Sequence, residues 1–193
     1  ITEDELKDVF EPYVNRLAEA RKMKQGEAYS ELKRNYDGYH FTEETPGMYN
    51  PFSLLNALHK RSFGSYWFET GTPSYLVELL KRHDFKLDEL KGNKVTANVL
   101  SAIDASSSDP IPVIFQSGYL TISGYNERYK LYSLDFPNEE VREGFMLYLM
   151  PYYTSVSVNK TGFQISCFVE EVKSGDISGF MTRLESFFAN RSK

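Results

Sequence analysis

The chain has 193 residues, 41% of them hydrophobic and 25% charged, with a formal net charge of −5. That length supports one compact domain or two small ones, and the composition excludes wholesale disorder. The acidic balance argues against a dedicated nucleic-acid binder, which carries a concentrated basic face, but leaves room for a local basic patch.

Tyrosine and phenylalanine, at 14 each, predict an aromatic-rich core edged with hydroxyl groups. Cys167 is the only cysteine, so no internal disulfide forms and no Cys/His metal spacing exists, which fits a reducing, cytoplasmic setting. No apolar run is long enough to span a membrane, and no signal peptide is visible. The chain begins at Ile1 rather than Met and stops soon after an apolar helix, so it reads as an interior piece of a longer protein.

The first element is a helix. Thr2 and Glu5 have capping-box spacing, and Leu6, Val9, Phe10, Tyr13, Val14 and Leu17 form one apolar stripe. Pro12 falls inside the stripe and predicts a kink or two abutting helices. After a break at Gly26, Ala28, Tyr29, Leu32 and Tyr36 predict a second helix that ends near Asp37-Gly38. Tyr39-His40-Phe41 and Met48-Tyr49 flank a turn-rich stretch and predict a short hairpin or paired extended arms. Asn50-Pro51 is a helix start, with Asn as cap and Pro in the first helical position, and Leu54, Leu55 and Leu58 line that helix. Thr72-Pro73 repeats the device ahead of Leu76, Leu79 and Leu80.

Residues 91–109 are polar, and the run Ser106 to Ser108 predicts a surface loop. Asp109-Pro110 opens a short helix ending at Gly118. Strands follow at 119–123 and 129–134 around a turn at Asn126, and another helix starts near Asn138 with an acidic first turn. Helix, two-stranded hairpin, helix is the outline of a winged-helix-like unit. Ile165, Phe168, Val169 and Val172, a break at Ser174-Gly175-Asp176, and then Ile177, Phe180, Met181, Leu184, Phe187 and Phe188 predict two antiparallel helices. The fold class is therefore α+β, predominantly α-helical: a helical bundle carrying a winged-helix-like unit.

Nothing in the sequence assembles a nucleotide-hydrolysing site. There is no G-x-x-x-x-G-K-[ST] loop to cradle phosphates, no G-x-G-x-x-G, and no apolar strand ending in paired acids for magnesium. His40, His59 and His83 are scattered and read as structural; His59 and His83 sit at helix C-terminal ends. Cys167 has no basic neighbour in sequence and reads as inert. Glu139-Glu140 and Glu170-Glu171 read as solvated helix faces. Catalytic, cofactor-binding and metal residues are therefore not expected in this chain.

Two local features admit a binding role. Thr70, Gly71 and Thr72 form a turn at a helix N-terminus, which fits simple capping and, alternatively, an anion or interdomain contact. Arg128 and Lys130, beside Glu127, lie at the tip of the predicted wing and give a thin electrostatic footprint for nucleic acid.

Four motifs occur in order: Tyr36-Asp37-Gly38-Tyr39-His40-Phe41, then Tyr49-Asn50-Pro51-Phe52-Ser53-Leu54-Leu55-Asn56, then Tyr66-Trp67-Phe68-Glu69-Thr70-Gly71-Thr72-Pro73, and Gln116-Ser117-Gly118-Tyr119-Leu120-Thr121-Ile122. Together they resemble the AAA-ATPase-like proteins abundant in gut Bacteroidetes and other anaerobes. In that family a P-loop ATPase core is followed by a nuclease-like domain of the PD-(D/E)XK type, and this chain resembles the stretch between them. The resemblance implies a lid-like helical region at 1–105 with a short hairpin. The residue pattern itself places the winged-helix-like unit at 106–158 and a helical hairpin at 159–193, and the resemblance implies that the latter leads to a downstream domain. It further implies a non-catalytic role, with ATP and Mg²⁺ bound only by the full-length protein. The ATPase core and nuclease-like domain of the same polypeptide are the implied partners, and a nucleic-acid-binding module is the alternative. The motifs at 36–41 and 66–73 are expected to organise the core or to face the nucleotide domain.

Overall fold

The computed structural model describes residues 1–42, 44–70, 74–82, 93–101, 109–153, 166–171 and 173–189. It divides into two compact units, Ile1–Glu143 and Gly144–Lys193.

The first unit opens with three helices, α1 (Glu3–Arg21), α2 (Gln25–Tyr36) and α3 (Pro51–Lys60). The capping box at the start of α1 is formed: Glu5 N donates to Thr2 Oγ1 at 3.2 Å, and Thr2 N donates to Glu5 Oε2 at 2.8 Å. The same reach-back starts α2, where Lys24 N donates to Glu27 Oε2 at 2.8 Å. Asn50 caps α3 through its side-chain oxygen, which accepts from Phe52 N at 3.0 Å and Ser53 N at 3.2 Å. Helices α1 and α3 each end on a left-handed residue, Lys22 and Arg61.

Of the kink or two abutting helices expected at Pro12, the second does not occur. A single helix runs from Glu3 to Arg21 with Pro12 inside it. Asp8, whose carbonyl Pro12 leaves without its helical partner, is exposed, so water can satisfy it. The three helices close over a core of Leu6, Val14, Leu17, Leu32, Tyr36, Tyr49, Leu54, Ala57 and Tyr66.

A 3₁₀ turn at Trp67–Thr70 leads to α4 (Ser74–Arg82), β1 (Lys94–Val95), α5 (Ala97–Ser101) and α6 (Ile111–Gln116). Strands β2 (Thr121–Asn126) and β3 (Leu131–Asp135) follow. The sheet is antiparallel in the order β1-β3-β2. Thus the polar stretch 91–109 contains a strand and a short helix that periodicity does not reveal. The β2–β3 turn is held as expected by Asn126, whose Oδ1 accepts from Tyr129 N at 3.1 Å, and Lys130 turns the corner with φ of 53°. A register shift between Ile122 and Gly124 marks a bulge in β2.

Helix α7 (Glu139–Tyr153) begins in the first unit, capped by Asn138, whose Oδ1 accepts from Val141 N at 3.0 Å. In the second unit, helical residues 166–171 pair with α8 (Ile177–Ala189). Phe168 and Phe180 meet edge to face at 5.4 Å, and Arg183 Nη2 pairs with Glu171 Oε1 at 2.6 Å. The Asp176 carboxylate caps α8 by accepting from Gly179 N at 2.9 Å. Among the described residues no helix is long and apolar enough to cross a membrane. The chain is thus α+β and predominantly helical, with one small antiparallel sheet.

Candidate functional site

The four sequence motifs, scattered over 87 positions from Tyr36 to Ile122, meet in one hub inside the first unit. The hub is built at the end of α2. Tyr36 is fully buried, and its hydroxyl donates to Gly64 O at 3.0 Å while accepting from Gly64 N at 2.9 Å. Its backbone carbonyl accepts from Asn50 N at 2.8 Å, so the first motif grips the second at the residue that caps α3. Burial pushes the Tyr36 hydroxyl well above the usual phenol range, which keeps it protonated and able to donate.

Asp37 and Gly38 carry the chain toward α7. The Asp37 carbonyl accepts from Asn138 Nδ2 at 2.9 Å. Gly38 has φ of +96°, and a Cβ at this position would collide with the Pro137 carbonyl oxygen. Glycine is therefore required here twice, by conformation and by close approach. Tyr39 and Met48 exchange backbone hydrogen bonds at 3.2 and 3.0 Å, giving the paired arms expected at 39–49.

His40 is tied to the fourth motif. Its N–H donates to Thr121 Oγ1 at 2.7 Å, and Thr121 Oγ1 donates back to His40 O at 3.2 Å. The His40 ring donates from Nδ1 to Thr45 O at 2.8 Å, since a carbonyl can only accept. His40 is thus a structural residue of the arm. The third motif enters through Trp67, whose ring lies 5.0 Å from Tyr119 and 5.4 Å from Phe68. Gly118, with φ of +78°, faces both Trp67 and Tyr39.

One residue of the hub reverses an expectation. Glu140 reads in sequence as part of a solvated acidic face, yet it is 3% exposed, and its Oε1 accepts from Trp67 N at 3.0 Å. The first turn of α7 points this side chain inward, where a backbone donor meets it. Glu139 is half-buried, its side chain 28% exposed, and pairs with Arg142 at 2.9 Å. The second acidic pair divides the same way: Glu171 is drawn into the Arg183 ion pair, with its side chain 14% exposed, while Glu170 stays exposed. The same arginine lies within electrostatic reach of Cys167, a cationic neighbour that the local sequence does not offer.

A second polar cluster flanks the hub. Glu3 accepts from Lys7 at 3.1 Å, Lys33 at 3.2 Å and the Tyr49 hydroxyl at 3.0 Å. Burial alone would raise its pKa, but these donors outweigh it and hold the carboxyl below the usual carboxylate range. Asp37 Oδ1 and the Tyr39 hydroxyl are buried without a hydrogen-bond partner among the described residues. Burial pushes the Tyr39 hydroxyl well above the usual phenol range, with nearby Asn50 opposing.

Of the residues singled out for binding, Gly71 and Thr72 lie outside the described residues, as do Pro73, His83 and Ser106 to Ser108; Thr70 ends the 3₁₀ turn. Arg128 and Lys130 are exposed at the β2–β3 turn, 83 and 85 residues after Thr45, and Arg128 stacks on Tyr129 at 5.4 Å. Among the described residues no group of three or more His, Cys, Asp or Glu side chains is placed to hold a metal ion. The hub's hydrogen bonds run both between motifs and to residues outside them, and sequence reasoning missed the members contributed by Pro137 and Glu140. Only the Pro137-Asn138 pair carried a local signal, that of a helix start.

No protein-family model matches the chain, and no solved structure matches it. An uncharacterized protein in the vnfD 5' region of Azotobacter chroococcum mcd 1 is 36% identical over 169 residues, a match covering 83% of this chain and 31% of that relative. The chain therefore spans about a third of the length of the curated relative it matches.

Proposed function

We propose that this chain is a non-catalytic lid or spacer of a larger AAA-type, ATPase-like protein. In this reading it couples a nucleotide-binding core on its N-terminal side to a nuclease-like domain on its C-terminal side. The observation that carries the reading is the convergence of all four motifs on the hub. A catalytic cleft aims polar groups into open space. Here the motif residues Tyr36, Asp37, His40, Asn50 and Trp67 are instead bonded to other parts of the first unit. A block held in this way transmits displacement without deforming, which suits a relay between domains. The length of the relative is in keeping with further domains outside this segment. ATP and Mg²⁺ would be held by the core and not by these residues.

The test compares ATP turnover by this chain with turnover by the longer natural polypeptide, each with and without Gly38→Ala. The expected result is no turnover by the chain alone and altered turnover in the longer protein when the hub is broken. Hydrolysis by the chain alone, abolished by changing one of its own acids such as Glu140, would refute the reading.

Within the same proposal, residues 106–158 carry a winged-helix-like unit. Its support is the order α6-β2-β3-α7, helix, two-stranded hairpin, helix, with β3 central in the sheet. Helix α6 would be the groove-entering element of a DNA reader, yet its sequence, Ile111 to Gln116, has no cation. The Gln116 amide is occupied internally, donating to Leu100 O at 3.2 Å. Phosphate contacts supply most non-specific affinity, so this favours a packing role for the unit. Nucleic-acid binding remains the second reading because Arg128, Tyr129 and Lys130 are all exposed at the wing tip. A duplex titration at low salt distinguishes the two. The packing role gives a flat curve, whereas salt-dependent binding weakened by Arg128→Glu and Lys130→Glu supports the second reading.

A further inference from the structure

We propose that the groove between α1 and α3 receives helix α8 of a second copy of this chain, so that the protein self-associates by reciprocal helix docking. This stands independently of the lid reading. The groove encloses about 360 Å³ and is lined by Phe10, Tyr13, Arg16, Leu55, His59 and Arg61. Of the lining residues Tyr13 and Leu55 are exposed by 48 and 45%, and Val9 and Phe52, one helical turn before them on the same helix faces, by 62 and 44%. The apolar stripe of α1 is wider than the core needs: Leu6, Val14 and Leu17 are buried, while Val9 and Tyr13 face outward beside them. Contiguous exposed apolar surface of this kind marks an interaction site.

The groove is also charged at one end. Arg16 stacks over the Tyr13 ring at 5.6 Å, and Arg61 follows the last turn of α3. Among the described residues neither arginine has a carboxylate within ion-pair distance, although the chain carries a net charge of −5. The groove therefore fits a helix with an apolar stripe that ends in an acid.

Helix α8 presents that pattern. Phe180 and Arg183 are engaged with Phe168 and Glu171, and Ile177 and Met181 are left 74 and 48% exposed, one helical turn apart. Glu185 continues the stripe a turn further on and is exposed. From Ile177 to Glu185 the helix rises about 12 Å, and from Val9 to Arg16 about 10.5 Å, at 1.5 Å per residue. With α8 laid parallel to α1, Ile177 and Met181 cover Val9, Tyr13, Phe52 and Leu55, and Glu185 meets Arg16 and Arg61. The pairing proposed is the reciprocal one, groove to stripe in both directions, which forms the contact twice.

Sedimentation equilibrium of the full chain across the micromolar range tests this. The expected result is a concentration-dependent dimer that Leu55→Glu reduces to monomer, with an unchanged circular-dichroism spectrum and melt. The double variant Arg16→Glu, Arg61→Glu should weaken the dimer at least about tenfold, and adding Glu185→Arg should recover most of the loss. That charge exchange keeps the test decisive if Leu55→Glu does not fold. A wild-type chain that stays monomeric throughout overturns the proposal. So does a dimer indifferent to both Leu55→Glu and the charge reversals.

Discussion

The motif hub and the C-terminal helical pair hold their segments together by different means. In the hub, hydrogen bonds join residues 81 apart at His40 and Thr121, 73 apart at Trp67 and Glu140, and 101 apart at Asp37 and Asn138. In the C-terminal pair, the described contacts are local: Glu171 and Arg183 are only 12 apart, and Phe168 and Phe180 are similarly close in sequence. Long-range polar bonds carry a larger loop-closure cost, but they accept only one geometry. An edge-to-face aromatic contact and a single part-buried ion pair accept a wider range of geometries. The hub should therefore behave as a rigid joint intolerant of small changes, and the helical pair as a local element that yields independently.

The sharpest way to break the contrast is Gly38→Ala. The new methyl group collides with the Pro137 carbonyl at a backbone angle of +96°, so urea unfolding should show a loss of about 3 kcal/mol or more. A loss below about 1 kcal/mol would mean that the hub adapts and is no rigid joint.

Next in size is Tyr36→Phe. It leaves both Gly64 N and Gly64 O without their partner at the core edge, for an expected loss of about 1–3 kcal/mol in the same experiment. Phe180→Ala probes the other region. Phe180 is half-buried and packs on Phe168, so about 1–2 kcal/mol should be lost locally. Hydrogen exchange should quicken across 166–189 while hub amides keep their protection. Equal loosening of both regions would dissolve the distinction drawn between them.

The smallest effect concerns pH. Lys7, Tyr49 and Lys33 hold the Glu3 carboxyl below its ordinary value despite the opposing effect of burial. A depressed carboxylate contributes stability that is complete above its ordinary value of 4.5 and is lost as pH falls through the lower folded value. Glu3→Gln should cost less than about 1 kcal/mol at neutral pH and should flatten the acid limb of the stability curve below pH 4.5. An unchanged acid limb would show that these donors leave the carboxyl unperturbed.

Much of the helical framework was legible in the amino acids alone. Thr2 with Glu5, Asn50 with Pro51, the stripe of α1 and the Asn126 turn each act within a few residues, so their physics is local and survives in any context. Strand β1 was not legible, because two residues cannot show a period, and only pairing with β3 makes Lys94 and Val95 a strand. The continuity of α1 through Pro12 likewise rested on exposure, which the stripe did not reveal.

The hub shows the division most clearly. Its four strings were visible as strings, but their meeting, and the roles of Pro137 and Thr121, were decided only when the chain folded. Glu140 and Glu139 are neighbours of the same type on one helix turn, and one is buried against Trp67 while the other is half-buried and pairs with Arg142. No pattern of neighbouring residues separates them. Which acid turns inward depends on a backbone amide 73 residues away, a distance over which only tertiary structure carries information.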